Sequence, residues 1–257
     1  HLGVPLRMID VQIGSSNYPF GPASGGSTTA RATSPAMIAA AIDVKKKLLD
    51  AIAPALNATA DQLEIRDGQV VAGEGSTIAW KEACRRMSGD SVVGRGSFDR
   101  NVDAHWGEGH SAGVQFVDLT VDTETGVVKV NRVVAIQSCG KAVSRKTVES
   151  QIIGGVIQGV SFALFEHKWH DRRTGSMVNP NLEWYKILGS NDMPHIEPVI
   201  WDEGQTGVRS LGEPPVVPTA GAVAGAIYNA IGAPVRSLPM TPDKVLAAFD
   251  AAKGGAA

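Results

Sequence analysis

The chain has 257 residues, with 24 lysines and arginines against 26 aspartates and glutamates, so its formal net charge is −2. This length provides one large or two small domains with enough apolar residues for a core. The near-neutral balance, without a basic cluster longer than residues 45–47, argues against a nucleic-acid-binding face. Because no apolar run is long enough to cross a bilayer, we expect no membrane span.

The two cysteines, Cys84 and Cys139, lack the spacing of a metal site or a disulfide framework, and a single bridge between them stays open. The chain begins with His-Leu-Gly, without an initiating methionine or a signal-like segment. We therefore expect a fragment or a processed piece of a longer protein.

The first part of the chain, residues 1–105, is predicted to form one lobe. Residues 6–14 alternate in part and end on a glycine, which indicates a buried strand. Glycines let a backbone approach a ligand closely, and hydroxyls can donate to phosphate or carbonyl oxygens. Ser34 and Pro35 indicate the N-cap and first residue of a helix that runs to about residue 55. Glycines and hydroxyl-bearing residues both occur in the loop before this helix. The loop contains Ser24, Gly25, Gly26, Ser27, Thr28, Thr29 and Ala30.

The rest of this lobe is predicted to be a small α+β patch. Asp67-Gly68 is a strong hairpin signal, so residues 62–66 and 69–72 are expected to pair as strands. Residues 76–82 indicate the start of a short helix, and residues 91–98 indicate a further strand.

A second lobe is predicted over residues 106–257, after a polar linking segment at residues 101–109. Residues 114–121 and 127–136 are expected to form an antiparallel pair around the turn at residues 122–126. Further elements are expected as a helix at 147–165, strands at 196–202 and 235–239, and helices at 218–231 and 243–252.

The helix predicted at residues 147–165 contains Gly154, Gly155 and Gly159. Each glycine inside a helix costs about 1 kcal/mol relative to alanine, so three of them imply close packing or a ligand against the helix. Gln151 and Gln158 are two turns apart and lie on about one face of this helix. Surface glutamines are the simpler interpretation of that pair.

One acidic residue, Glu213, stands between a glycine and two prolines in the segment Arg209-Ser210-Leu211-Gly212-Glu213-Pro214-Pro215. The prolines and the run of small apolar residues behind them indicate a helix start. At such a start the free backbone amides and the helix dipole favour an anion. Glu213 is therefore predicted to lie at the mouth of a helix, either as an ordinary first-turn acid or as a functional carboxylate.

The order and spacing of these motifs resemble the C-terminal part of the molybdenum-binding subunit in the xanthine dehydrogenase and aldehyde oxidase family. The resemblance runs from Gly3 to Phe249, and the segments that carry it are residues 24–29, 122–126, 151–159, 185–186, 212–215 and 238–246. It implies an α+β molybdenum-cofactor-binding domain fold, with two mixed or antiparallel sheets each packed with helices. The two lobes at residues 1–105 and 106–257 would then belong to one molybdopterin-binding domain.

The resemblance implies a molybdenum hydroxylase, which oxidises an aldehyde or a xanthine-like N-heterocycle with water as the oxygen donor. Glu213 then matches the catalytic base that takes the proton from the metal hydroxyl, a role that suits a fixed and partly desolvated carboxylate. Gln151 matches the glutamine that binds near the metal ligands or the pterin, and no residue of this chain is implied as a direct metal ligand. The other implied cofactor-binding residues are Ser24, Gly25, Gly26, Ser27, Thr28, Thr29, Ala30 and Ser34 on one lobe, and Arg209, Ser210, Leu211 and Gly212 on the other.

The implied cofactor is molybdopterin with molybdenum in its cytosine dinucleotide form, while Fe-S clusters and FAD belong to partner domains or subunits. The implied partners are the N-terminal portion of the molybdenum subunit, the iron-sulfur and FAD subunits or domains, and a small-molecule substrate. We expect the cytoplasm as the compartment, with the periplasm as the alternative. The family's Gly-Gln-Gly and Gly-Gly-Phe-Gly loops do not occur in these residues, so the isolated chain is expected to be inactive.

Other interpretations stay open beside this one. The pair Arg209-Ser210 stands where the family more often has Lys-Gly, which removes a glycine that would allow a close backbone approach. The chain can also be a non-catalytic fragment or assembly module that completes another molybdenum subunit. A phosphate-binding loop is excluded because no lysine follows Gly25-Gly26. A simple metal site would have to be formed by Glu166, His167, His170 and Asp171.

Overall fold

The computed structural model of the chain describes residues 1–72, 75–87, 89, 91–98, 111–202, 204 and 207–254. The chain divides into two compact units, His1–Gly107 and Glu108–Ala257, and each has its own hydrophobic core. Helices and two three-stranded sheets make up these units, so the predicted α+β fold class is confirmed. The linking segment predicted at residues 101–109 lies outside the described residues.

The first unit packs one long helix beside a small antiparallel sheet. Its elements in the described residues are α1 (Thr29–Ile52), β1 (Leu63–Arg66), β2 (Gln69–Ala72), β3 (Thr77–Ala79) and α2 (Trp80–Arg85). The strand order is β1-β2-β3. At the β1–β2 turn Asp67 and Gly68 have φ angles of 51° and 74°, as a tight two-residue hairpin requires, so the predicted hairpin is confirmed.

Four predictions for this unit are wrong at the level of local structure, the fourth being the strand expected at residues 91–98. Residues 6–14 contain a short 3-10 turn at Leu6–Met8 and no strand, because the segment is exposed and pairs with no strand of the described chain. Residues 77–79 form β3, so the predicted short helix is present but begins only at Trp80. Helix α1 begins at Thr29 rather than at Ser34, since Pro35 lies inside the helix and removes only one of its hydrogen-bond donors.

Residues 91–98, which were predicted to form a strand, instead lie along helix α1. The backbone N–H of Arg95 donates to Asp43 Oδ2 at 2.8 Å, and Lys47 Nζ donates to the carbonyl of Val93 at 3.2 Å. A Cβ added at Gly96 would stand 2.1 Å from the carbonyl oxygen of Ala36, so only glycine permits this approach. The segment therefore contacts a helix surface and not another strand.

The second unit contains a mixed sheet packed with helices. Its elements in the described residues are β4 (Gly113–Val121), β5 (Val128–Ser138), α3 (Arg145–Leu164), β6 (His195–Trp201), α4 (Thr219–Ile231) and α5 (Pro242–Gly254). Strand β4 is antiparallel to β5, as predicted, and β6 runs parallel to β5 on its other side. The core between this sheet and the helices includes Val133, Ile152, Val156, Val223 and Ile227, all fully buried. The strand predicted at residues 235–239 is not formed.

Both cysteines are free thiols, so the bridge that the sequence left open is not formed. Within the part of the chain that the structure describes, every helix falls short of the length or the hydropathy that a bilayer crossing needs.

Candidate cofactor-binding and base site

Glu213 lies at the start of a 3-10 turn formed by Pro214–Val216, which leads into helix α4. The carbonyl of Glu213 accepts the N–H of Val216 at 3.0 Å, which closes this turn. The two prolines behind Glu213 fix their own φ angles and suit the first turn of a helical segment. The turn therefore holds the backbone of Glu213, and the residue itself is exposed.

The segment before Glu213 is held against the end of strand β5. The backbone N–H of Arg209 donates to the carbonyl of Cys139 at 2.8 Å, and Gly140 forms a β-bridge with Val208. Cys139 is buried, and this burial together with the charge of Asp202 raises the pKa of its thiol. Backbone hydrogen bonds to the strand end therefore hold the residues that precede Glu213.

Side chains from two other elements donate to carbonyls of the same segment. Ser111 Oγ donates to the carbonyl of Ser210 from just before strand β4. Gln151 Nε2 donates to the carbonyl of Gly212 at 3.4 Å from helix α3. The structure therefore brings Gln151 to the residue beside Glu213, as the sequence-based assignment of both residues to one site requires.

Gln115 is a further side chain at this segment, and sequence reasoning missed it. It lies on strand β4, is 9% exposed, and donates from Nε2 to the carbonyl of Pro215 at 2.7 Å. Val117 and Leu119 occupy core-facing positions further along the same strand. A polar residue among the apolar core-facing positions of a strand is the signal that would have identified Gln115.

The glycines of helix α3 allow close packing against the segment that follows Glu213. A Cβ at Gly155 would stand 2.7 Å from the Cβ of Pro215, and one at Gly159 would stand 2.3 Å from the Cβ of Thr219. Nothing lies within 4 Å of a Cβ built at Gly154. Two of the three glycines therefore have the packing role that the sequence predicted, whereas Gly154 has open space.

In the first unit the glycine and hydroxyl loop leads directly into helix α1. Gly25–Ser27 form a 3-10 turn, in which Gly26 has a φ of 70°, and Thr28 is the N-cap residue of the helix. Thr28 Oγ1 donates to the carbonyls of Ala23 at 2.9 Å and of Gly25 at 3.1 Å, which holds the loop closed. The predicted segment from Ser24 to Ala30 thus includes the loop and the first residues of the helix.

The N-terminal end of helix α1 has no side-chain cap and no acidic residue in its first turn. The amides of a first helical turn have no acceptor within the helix, and the helix dipole makes this end positive. Arg31, in the same turn, adds a further positive charge. This end of the helix therefore suits an anionic group. Ser34 lies in the next turn, so its predicted contact with a cofactor stays a prediction.

The alternative metal site at residues 166–171 is not formed. Glu166 Oε2 accepts a hydrogen bond from Tyr185 at 2.8 Å, and Asp171 Oδ1 accepts the N–H groups of Arg173 and Thr174. These bonds lower the pKa of Asp171 by stabilising its charged form. Within the ranges that the structure describes, no group of three or more His, Cys, Asp or Glu side chains could hold a metal ion.

An α+β chain with a glutamate on a proline turn and an uncapped helix start behind a glycine and hydroxyl loop has the features of a cofactor-binding domain. The family model for the molybdopterin cofactor-binding domain matches residues 1–194. The chain therefore belongs to the molybdopterin cofactor-binding domain family, which confirms the resemblance seen in the sequence.

Curated relatives carry matching names. The aldehyde oxidoreductase molybdenum-binding subunit PaoC of Escherichia coli O157:H7 is 31% identical over 251 residues, which cover 95% of this chain and 33% of that protein. The putative xanthine dehydrogenase molybdenum-binding subunit XdhA of Escherichia coli (strain K12) is 29% identical over 264 residues, with 96% and 34% covered. The chain thus spans about a third of the length of the curated relatives it matches.

A solved structure has the same fold. Quinoline 2-oxidoreductase from Pseudomonas putida 86 superposes with a TM-score of 0.79 at 21% sequence identity, over 97% of this chain and 33% of that one. At this identity the likeness concerns the fold alone. It extends over both units of the chain.

Proposed function

We propose that this chain is the C-terminal part of a molybdenum hydroxylase, in which Glu213 is the general base. The reaction is the oxidation of an aldehyde or an N-heterocycle with water as the oxygen donor. The names of relatives such as the aldehyde oxidoreductase molybdenum-binding subunit support this class of reaction. The observation that carries the proposal is the fixed backbone of Glu213, which presents an exposed carboxylate from a segment held by Ser111, Gln115 and Gln151.

The residues present fit a pterin cofactor with an anionic tail. The uncapped and positive end of helix α1 suits a phosphate group, and the loop before it contains hydroxyls and glycines that permit a close approach. When bound, molybdopterin with molybdenum would supply the redox centre and the oxygen transfer. We assign its binding to Ser24, Gly25, Gly26, Ser27, Thr28, Thr29, Ala30 and Ser34 in the first unit, and to Gln151, Arg209, Ser210, Leu211 and Gly212 in the second.

The role of Glu213 is to accept a proton at its carboxylate during the reaction. A general base is most effective when it is fixed, near the reacting group and shielded from bulk water. The structure fixes the backbone of Glu213 but leaves its side chain exposed, so the shielding has to come from what binds over it. We therefore propose that the isolated chain neither holds the cofactor stably nor turns over.

We propose that the N-terminal portion of the molybdenum subunit covers Glu213 and excludes water from it, since the curated relatives are about three times as long as this chain. We further propose that Fe-S clusters and FAD are carried by partner domains or subunits and that the cofactor has the cytosine dinucleotide form. The cytoplasm as the compartment stays a prediction.

Reconstitution tests the proposed function. The chain is combined with the N-terminal portion of the subunit and loaded with cofactor, and oxidation of an aldehyde and of an N-heterocycle is assayed beside the molybdenum content. Glu213→Gln should keep the metal but lower kcat by about 10²- to 10⁴-fold, the usual contribution of a general base. Glu183→Gln, at another exposed glutamate of the second unit, is the matched control and should leave kcat unchanged. Turnover by the lone chain, or full activity of Glu213→Gln, would refute the proposal.

A further inference from the structure

Gln115 contacts the segment that carries the proposed base, although its position in the sequence is far from that segment. Its amide nitrogen donates to the carbonyl of Pro215, and the two residues are 100 positions apart. Thr219 Oγ1 reaches the same carbonyl at 3.3 Å. Pro215 is fully buried, so this carbonyl has its hydrogen bonds from protein groups. The orientation of the Pro215 peptide is thereby fixed from the sheet.

The path from the Pro215 carbonyl back to Glu213 is short and stiff. Pro214 and Pro215 both have φ angles locked by their rings, so few soft torsions separate the anchored carbonyl from the backbone of Glu213. The N–H of Val216 closes the same turn onto the Glu213 carbonyl. A shift of the Pro215 peptide would therefore move the Glu213 backbone with it.

Gln115 has a feature that simple core packing does not explain. In the described part of the chain, its Oε1 is one of the buried side-chain oxygens that lack a hydrogen-bond partner; the other is Oγ of Ser138. A buried polar atom without a partner destabilises a fold, and an apolar side chain at this position would avoid that cost. What the amide contributes in return is the hydrogen bond to Pro215.

We infer that Gln115 is a positioning residue for Glu213, which sets the direction of the carboxylate through the Pro215 carbonyl and the two prolines. The inference rests on the proposed function, because it concerns the orientation of the proposed base. Gln115 itself contacts neither substrate nor cofactor in this scheme. Substitution of Gln115 should therefore slow the chemical step, and only when the Glu213 carboxylate is present.

Gln137 provides a matched control in the same sheet. It is 3% exposed on β5, and its Nε2 donates to the carbonyls of Ala112 and Ser138, neither of which belongs to the segment around Glu213. Gln115→Met and Gln137→Met remove the same group from two buried positions. Gln115→Glu is a second variant of unchanged shape, which turns a carboxyl oxygen toward the Pro215 carbonyl.

The first measurement needs no cofactor. Hydrogen exchange of the Val216 and Val217 amides is followed in the 257-residue chain, since both amides bond within the turn behind Glu213. Gln115→Met and Gln115→Glu should speed this exchange by about 10-fold or more, while Gln137→Met leaves it unchanged. Unchanged exchange in both Gln115 variants would overturn the inference.

The second measurement uses the reconstituted enzyme. Gln115→Met should lower kcat by about 10- to 100-fold through misplacement of the base, with KM unchanged, and should cause no further loss in a Glu213→Gln background. An unchanged kcat, or losses that multiply in the double variant, would overturn the inference while Glu213→Gln alone still supports the proposed function. If Glu213→Gln itself stays fully active, the proposed function fails and the inference fails with it.

Discussion

Gly155 lies directly against Pro215, so that a Cβ at position 155 would stand 2.7 Å from the proline Cβ. This contact joins the backbone of helix α3 to the turn that follows Glu213. Gly159 meets Thr219 in the same way at the start of helix α4. These glycines cost helix stability locally, but they let helix α3 pack closely against Pro215 and Thr219.

Alanine substitutions at the helix α3 glycines should have opposite effects on stability. Gly159→Ala and Gly155→Ala should lower the free energy of unfolding by about 1–3 kcal/mol, because the added methyl overlaps Thr219 or Pro215. Gly154→Ala meets open space and should raise it by about 0.5–1 kcal/mol through helix propensity. Urea unfolding of the three variants measures the differences. Equal effects at all three positions would contradict the packing role.

Arg31 should lower the stability of the free chain and strengthen its binding of anions. Its charge lies in the first turn of helix α1, where it opposes the helix dipole, so Arg31→Gln should stabilise the chain by about 0.3–1 kcal/mol in a low-salt buffer. The same variant should gain less stability than the wild type when phosphate is added. Thermal unfolding with and without phosphate measures both effects. Lys46→Gln, in the middle of the same helix, is the control and should respond to phosphate like the wild type.

The free energy of unfolding should depend on the charge of Asp43. Lys47 and the backbone N–H of Arg95 both donate to its Oδ2, and these bonds hold the pKa of Asp43 below its usual value. A lowered pKa in the folded state stabilises the fold above the unfolded pKa of about 3.9, and this contribution is lost as the pH falls through the folded pKa.

Asp43→Asn should therefore destabilise the chain at pH 7, and its difference from the wild type should shrink below about pH 4. Chemical unfolding as a function of pH measures this dependence. Asp50→Asn, at an exposed position of the same helix, is the matched control. A difference between wild type and Asp43→Asn that stays constant with pH would exclude the ionic contribution.

The two thiols should differ in their reactivity. Burial raises the pKa of both, but Cys139 is only 2% exposed and also faces the charge of Asp202, whereas Cys84 is half-buried. Since the thiolate is the reactive form, a disulfide reagent should label Cys84 first and Cys139 only on unfolding. Cys84→Ser and Cys139→Ser variants separate the two rates. Rapid labelling of Cys139 in the native chain would contradict its burial.

Local signals predicted much of the fold from the sequence. The hairpin at Asp67-Gly68 depends on two adjacent residues that adopt positive φ, and the structure has both. Helix α3 and the β4–β5 pair follow from periodicity over long segments. The start of helix α1 was wrong because Ser34 and Pro35 form a typical start signal, while nothing in residues 29–33 prevents the helix from extending backwards.

Contacts between residues far apart in the chain could not be predicted from the sequence. The parallel pairing of β6 with β5 and the contact of residues 91–98 with helix α1 depend on surfaces that only the folded unit creates. At the site, Glu213 and Gln151 were both assigned from the sequence, and the structure places Gln151 beside Gly212. Gln115 was missed because its partner is 100 residues away. The cofactor-binding roles of the loop before helix α1 stay predictions.

The hydrogen bonds that hold the Glu213 segment span long stretches of chain. The bonds from Ser111, Gln115 and Gln151 join positions 99, 100 and 61 residues apart. Closing loops of this size lowers the entropy of the chain. The contacts that offset this loss form only when the whole unit is in place. We therefore expect the backbone around Glu213 to reach its native position late in folding, and a core substitution that loosens the second unit should lower the fraction of molecules in which this segment is held.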